Sequence, residues 1–348
     1  MTKNKSIIIS AFSLFSIFYI GRIVVSLTHM QSIMAGKLST DMITSIAIAF
    51  LLTLLFSLPA VMCVKQRKNP LKIKGLNYLY AVNFIYLAAI NVSRFSYFAS
   101  ARLNTEEKSW GFSLLIFIFA VYAAIMGLEG ISRFSGFSFF LIALAVVLVI
   151  GFNVRNFEIV SLFPVISTGW GAIFKNALTL SANTAEIVIF LALADNVREK
   201  AVTAFVSAMS AAYFSADLLF LFAVGVMGAA AGLQAFPLYS LSQLASTGNF
   251  VRLDVLYTGL WIFAIFIKAS VLIYCAGECL PGKNRKRKCI ICGLAAFAVS
   301  VLTADYMSVG THSVLVTIVP FLLFSTVIPL VTLIFKKKSK GDKVIEAF

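Results

Sequence analysis

The chain has 348 residues, of which 60% are hydrophobic and 12% charged, with 33 Phe and a mean hydropathy of +0.96. A soluble domain carries about a quarter charged residues to solvate its surface, so this composition excludes an ordinary water-soluble enzyme and indicates a polytopic membrane protein. The formal charge of +15 would suggest nucleic acid in a soluble protein; in a membrane protein, orientation in the bilayer is the first account to test.

A spanning helix needs roughly 20 mainly apolar residues, and lipid admits only helices or closed barrels. Alternating strands of barrel type are absent, so an all-α fold is expected. The apolar blocks predict ten helices, near residues 6–31, 40–64, 76–100, 110–128, 133–153, 171–195, 201–228, 254–279, 289–307 and 313–335. The third is the most polar. The chain opens on lysines before an apolar block, as a signal peptide does. No small-residue cleavage site follows and the block runs past Gly21, which predicts a retained first helix. The whole reads as one integral-membrane domain: a first repeat over 6–153, a second over 171–307, connecting segments to 335 and a basic tail at 336–348.

Basic residues orient this bundle. Twenty of the 29 Lys and Arg fall on one side: Lys3 and Lys5, the run Lys65 to Lys74, Arg133, Arg198 and Lys200, the run Lys283 to Lys288, and the tail from Lys336. The opposite loops hold Lys37, Arg102, Lys108, Arg155, Lys175 and Arg252. The positive-inside rule then places both termini in the cytoplasm. Cys275, Cys279, Cys289 and Cys292 bracket one cytoplasmic loop; they read as free thiols of a reducing compartment, with a zinc site as the alternative. The sequences GxxxxGK[ST], HExxH and GxSxG are all missing, so no enzyme and no cofactor is expected.

Ionisable groups at membrane depth are expensive and mark candidate sites. In the first helix, Tyr19, Gly21 and Arg22 lie about halfway across, and a glycine there permits a break. In the sixth, Ser181, Ala182, Asn183 and Thr184 form a small polar stretch followed at once by Glu186, a carboxylate suited to a restarting N-terminus. These interruptions occupy corresponding positions in two five-helix halves, the pattern of an inverted repeat with a mid-membrane site. The plainer alternative is close packing at Gly21 and helix-to-helix hydrogen bonding by the polar residues. Lys268 lies near the centre of the eighth helix, with Glu186 its natural partner and snorkelling the alternative. Arg94 lies nearer the outer end of the third, where snorkelling and ligand contact compete. Asp217 in the seventh is expected either to pair with Arg22 or to serve a polar path. His29 and His312 are isolated. The segment 232–254 is too polar to span, and Phe236-Pro237 followed by SLSQLAS predicts a short amphipathic helix outside the membrane, able to act as a lid.

That segment also carries a resemblance. TGNFVRLD, with Gly248, Phe250, Arg252, Leu253 and Asp254, followed by Trp261, Phe266, Ile267 and Lys268, is similar to the "IGDF-x-RL-E" turn and "W-x-x-x-x-F-I-K" helix of the spore germination permeases. GLEGISR at 127–133 resembles that family's loop after the fourth helix, and LFPVISTGWGAIFKNAL leading to Glu186 resembles its sixth-helix region. Asn249 and Ala185 depart from the family's acid and glycine. The resemblance implies a leucine-transporter-like 5+5 inverted repeat in the spore inner membrane, with broken first and sixth helices and an amino-acid-like ligand between the breaks. It implies A and C partner subunits of a nutrient germinant receptor; apart from the resemblance, a cation fixed at Lys268 could stand where sodium-coupled relatives of such folds keep a metal ion. An autonomous amino acid or cation transporter of the same fold is the second reading, and a structural subunit with a vestigial pocket the third.

Overall fold

A computed structural model of the chain describes residues 8–26, 40–103, 108–197, 199–245, 253–307 and 314–335. The N-terminal lysines, His29, Lys37, Arg198, the turn at 246–252, His312 and the basic tail lie outside those residues. The helices are α1 (Ala11–Val25), α2 (Asp41–Lys65), α3 (Leu76–Arg102), α4 (Ser109–Met126), α5 (Leu128–Asn153), α6 (Trp170–Ala182), α7 (Glu186–Leu193), α8 (Ala201–Met227), α9 (Pro237–Leu244), α10 (Leu253–Cys279), α11 (Arg285–Met307), α12 (Val314–Leu322) and α13 (Ile328–Phe335). Among the described residues no strand forms; a single bridge pairs Ile9 with Val197.

Eight segments are long and apolar enough to cross a membrane: α2, α3, α4, α5 with its extension to Asn156, α6–α7 to Asn196, α8 with its extension to Leu233, α10, and Thr317–Phe335. Two further helices fall where the sequence predicts spans: α1, apolar but 15 residues long, and α11, which opens on the basic run Arg285–Lys288. The α6–α7 and α10 segments are 78% buried, against 22–56% for the other six. These two are therefore the centre of the bundle. Around them, α10 packs on α3, α4, α5 and α1, while α1 packs on α8 and α2 on α6 and α8.

Local sequence explains several ends. Ser10 caps α1 by accepting from the Ser13 amide at 3.0 Å, and Pro237 opens α9, where its missing N–H costs nothing. Gly127 joins α4 to α5 with φ +102°, and a β-carbon there would stand 2.7 Å from Arg285 Nη1. The expected amphipathic helix is α9. Leu238 and Leu241 are buried beneath it, and it rests on an aromatic cluster in which Phe98 lies 4.0 Å from Trp261, 4.9 Å from Phe236 and 5.5 Å from Tyr239.

The segments predicted to share the basic side do meet at one end. Ile9 N–H donates to Asn196 O at 2.9 Å. Lys72 pairs with Asp195 at 2.7 Å, and Asn69 donates to Leu191 O at 2.9 Å. Lys68 donates to Leu333 O at 2.7 Å, and Asn77 to Cys279 O at 2.9 Å. Several of these acceptors are carbonyls in the last turns of helices, where cations and donors are favoured. The five cysteines are buried, and no disulfide forms among the described residues.

One expectation fails here. α1 is not broken at Gly21: the helix runs continuously through Gly21 and Arg22 to Val25, with every residue from Ser16 onward buried. The glycine answers a packing need instead, described next.

Candidate functional site

The interruption in the sixth span is where the polar residues predict it. α6 stops at Ala182, Asn183–Ala185 form a turn, and α7 restarts at Glu186. Asn183 closes the first half by donating Nδ2 to Thr179 O at 2.7 Å. Ala185 O accepts from both Val188 and Ile189 at 3.1 Å, starting the second half. Glu186 occupies the first position of α7, where the helix dipole favours a carboxylate.

Three elements meet at that carboxylate. Lys268, from the middle of α10, donates Nζ to Glu186 Oε1 at 2.9 Å and to Gly21 O at 2.8 Å, and both ionised side chains are 0% exposed. A buried lysine needs such a partner. A β-carbon on Gly21 would stand 2.8 Å from Glu186 Oε1. Thus Gly21 makes room for the carboxylate and its carbonyl helps hold the ammonium. No amides are freed there.

Arg22 is also fully buried, but Asp217 is not its partner. Its guanidinium lies 4.1 Å from the Tyr213 ring and donates at 3.4 Å to Thr184 Oγ1 and to Leu180 O, a carbonyl at the end of α6. Thr53 and Tyr213 hydroxyls, 2.6 Å apart, complete this group beside Thr184. Asp217 sits half-buried on α8 with Oδ1 enclosed and without a donor, and it forms no ion pair among the described residues. One turn separates it from Tyr213, so Arg22 reaches the ring and the broken helix first. Tyr19 shares a hydrogen bond with Ser215 at 3.0 Å, and Ser181 turns back to Leu178 O at 2.9 Å.

On the other side of the break lies a cavity of about 40 Å³, room for roughly three waters. Ala182, Asn183, Thr184, Ala185 and Val188 form one wall. α3 forms a second with Asn83, Tyr86, Leu87, Ile90, Asn91 and Arg94, and the third comes from Thr317, Pro320, Phe321 and Ser325. Arg94 donates Nη1 to Asn183 Oδ1 at 3.3 Å, so it faces the break and is not a snorkelling residue. Of the residues singled out from sequence, Ala182, Asn183, Thr184 and Arg94 line this cavity. Gly21, Arg22, Glu186 and Lys268 brace the break from behind, and Tyr19, Ser181 and Asp217 do neither.

Sequence reading missed Asn83, Asn91 and Ser325. The first two recur with Leu87 at four-residue spacing, which puts them on one face of α3, and the polar character of that span was the available signal. Ser325 lies in a π-helical turn, Leu323–Val327, just after Pro320; such turns often mark functional sites. Asp41 was missed too. Buried at the start of α2, it accepts from the Ser167 and Thr168 amides at 2.9 and 2.6 Å and from the Ser167 hydroxyl at 3.2 Å. It thereby fastens the segment that leads into α6.

Compared with known families, residues 8–307 match the family described as spore germination protein. The chain belongs to the spore germination protein family. The match spans α1 to α11, and so includes the break, the Lys268–Glu186 pair and the α3 wall. Thr317, Pro320, Phe321 and Ser325 lie beyond the matched segment. No curated protein matches the chain. As a spore germination permease with multiple apolar spans, it is a germination-related membrane protein.

Proposed function

We propose that this spore germination protein is the membrane subunit of a nutrient germinant receptor and binds an amino-acid-like germinant in the cavity beside the broken sixth span. The observation that carries this is the convergence of Arg94, Asn183 and Asn91 on a cavity where a helix is interrupted. Arg94 would hold the ligand carboxylate as a charge-assisted pair, and the turn carbonyls would receive its ammonium. The continuous α1 keeps the amides around Gly21 occupied, so the carboxylate is assigned to α3.

A cavity with room for roughly three waters is tight for an amino acid, and an outward shift of α12 would widen it. Pro320 and the π-helical turn supply the point of bending. Such a shift gives the ligand a differential affinity for two states, which is what a receptor needs to pass a signal to partners. Those partners would be A and C subunits. The site belongs to a single permease domain of ten spans, arranged as two inverted five-helix repeats, with both termini in the cytoplasm of the spore inner membrane. The shared end of the basic loops supports that orientation.

The test is germination of spores carrying Arg94→Ala or Asn183→Ala, nutrient by nutrient. Loss of response to one class of amino acid, with subunit levels preserved, is the expected result. Normal responses to every nutrient would overturn the reading. Substrate uptake by the purified chain in proteoliposomes, without partner subunits, would instead identify an autonomous transporter.

A further inference from the structure

Two buried polar atoms on the cavity walls have no hydrogen-bond partner among the described residues. Asn91 donates Nδ2 to Leu87 O at 2.7 Å, which leaves its Oδ1 enclosed without a donor. Ser325 is 0% exposed, and its hydroxyl likewise meets nothing. Other helix hydroxyls here, such as those of Ser270 and Thr332, turn back to the carbonyl four residues earlier at 2.7 and 2.8 Å. Ser325 sits where the π-helical turn alters that register. A buried polar group left unsatisfied forfeits its full hydration, so two on one small cavity mark a place for ligand polarity.

The geometry points to a ligand whose side chain ends in a primary amide. This rests on the germinant reading above and refines it. Asn91 Oδ1 can only accept, whereas the Ser325 hydroxyl can donate. A primary amide answers both, its NH₂ toward Asn91 and its carbonyl toward Ser325. A side-chain carboxylate would set acceptor against acceptor at Asn91. An aliphatic side chain would leave both atoms as they are. Arg94 follows Asn91 by three residues, about 4.5 Å along the helix axis, a separation that a small amino acid spans between its α-carboxylate and side-chain amide. Leu87, Ile90 and Phe321 would enclose the methylene carbons between them.

The experiment is a binding panel on the full chain in lipid nanodiscs, with glycine, alanine, valine, aspartate, asparagine and glutamine as probes. Asparagine or glutamine should bind about tenfold or more tightly than alanine and aspartate, because a site built to hydrogen-bond rejects analogues that lack the group. Asn91→Leu should bring the asparagine-to-alanine affinity ratio close to one, and Ser325→Ala should lower it by several-fold. Alanine or valine binding as tightly as asparagine would overturn the amide assignment while leaving the amino-acid reading intact; water would then be the natural occupant of those two atoms. If no amino acid binds to folded wild-type protein, the germinant reading falls and this inference with it. The wild-type panel decides the matter even if one variant does not fold.

Discussion

Gly21 and Glu186 are fitted to each other: a β-carbon on the glycine would stand 2.8 Å from the carboxylate oxygen that holds Lys268. The contact joins α1 to α7 at the one place among the described residues where a buried acid and base pair. Gly21→Ala should therefore push the Glu186 side chain off Lys268, at a cost of about 1–3 kcal/mol for overpacking. Thermal unfolding of the purified protein checks this, and shortening the acid in a Gly21→Ala, Glu186→Asp double variant should recover part of the loss. An unchanged melting temperature in Gly21→Ala would show that the carboxylate has room to move.

Lys268→Ala should abolish function, while Lys268→Arg keeps part of it. Removing the ammonium leaves Glu186 charged at 0% exposure, and breaking a buried pair from one side costs about 3–5 kcal/mol. The double replacement Lys268→Met with Glu186→Gln should be more stable than Lys268→Met alone. Germination and unfolding measured on the same set separate the two roles; equal activity in Lys268→Ala and wild type would remove the cation from the mechanism.

Asp217→Asn should leave stability unchanged or raise it, because it removes the charge of a half-buried carboxylate whose enclosed oxygen has no donor. Its carboxylate has no ion-pair partner among the described residues. A double-mutant cycle with Arg22→Met should return a coupling near zero. A coupling above about 1 kcal/mol would restore the pairing that the sequence suggests.

Asp41→Ala should loosen the entry to α6. It strips the acceptor from the Ser167 and Thr168 amides, and a charged acceptor of this kind contributes about 1.5–3 kcal/mol per hydrogen bond. Protease cleavage within 163–169 should accelerate in the variant. Asp41→Glu, one methylene longer, should be intermediate, and identical cleavage rates in all three proteins would argue against the clasp.

Much of this arrangement could be read before any coordinates. Periodic apolar blocks located the helices, because lipid forces backbone groups to pair within each segment. The small polar stretch at 181–184 located the break, although hydrogen bonding between helices was the other reading it allowed. Lys268 announced its partner because a buried ammonium requires one. The failures are equally physical. Gly21 has two explanations from sequence, hinge or close approach, and only the position of Glu186 across the bundle decides between them. Arg22 satisfies itself on an aromatic face and a helix-end carbonyl, neither of which has a charge that sequence would flag. Asn83 and Asn91 were visible as polarity in the third span, but Ser325 depends on a shift in helix register that no residue pattern records.

That shift has an effect beyond Ser325 itself. A helix turns about 100° for each residue, and a π-helical turn inserts one residue without lengthening the hydrogen-bonded ladder around it. Everything after Val327 is consequently re-phased relative to α12. Pro329 and Thr332 are turned toward the bundle, where Pro329 O accepts from Cys63 Sγ at 3.3 Å, while Leu330, Val331 and Ile334 face outward. The first half of the last span looks onto the cavity with Thr317, Pro320 and Phe321, and the second half packs on α2 through Pro329. Straightening the span would rotate one half against the other, so motion at the cavity wall is geared to the far end of the molecule.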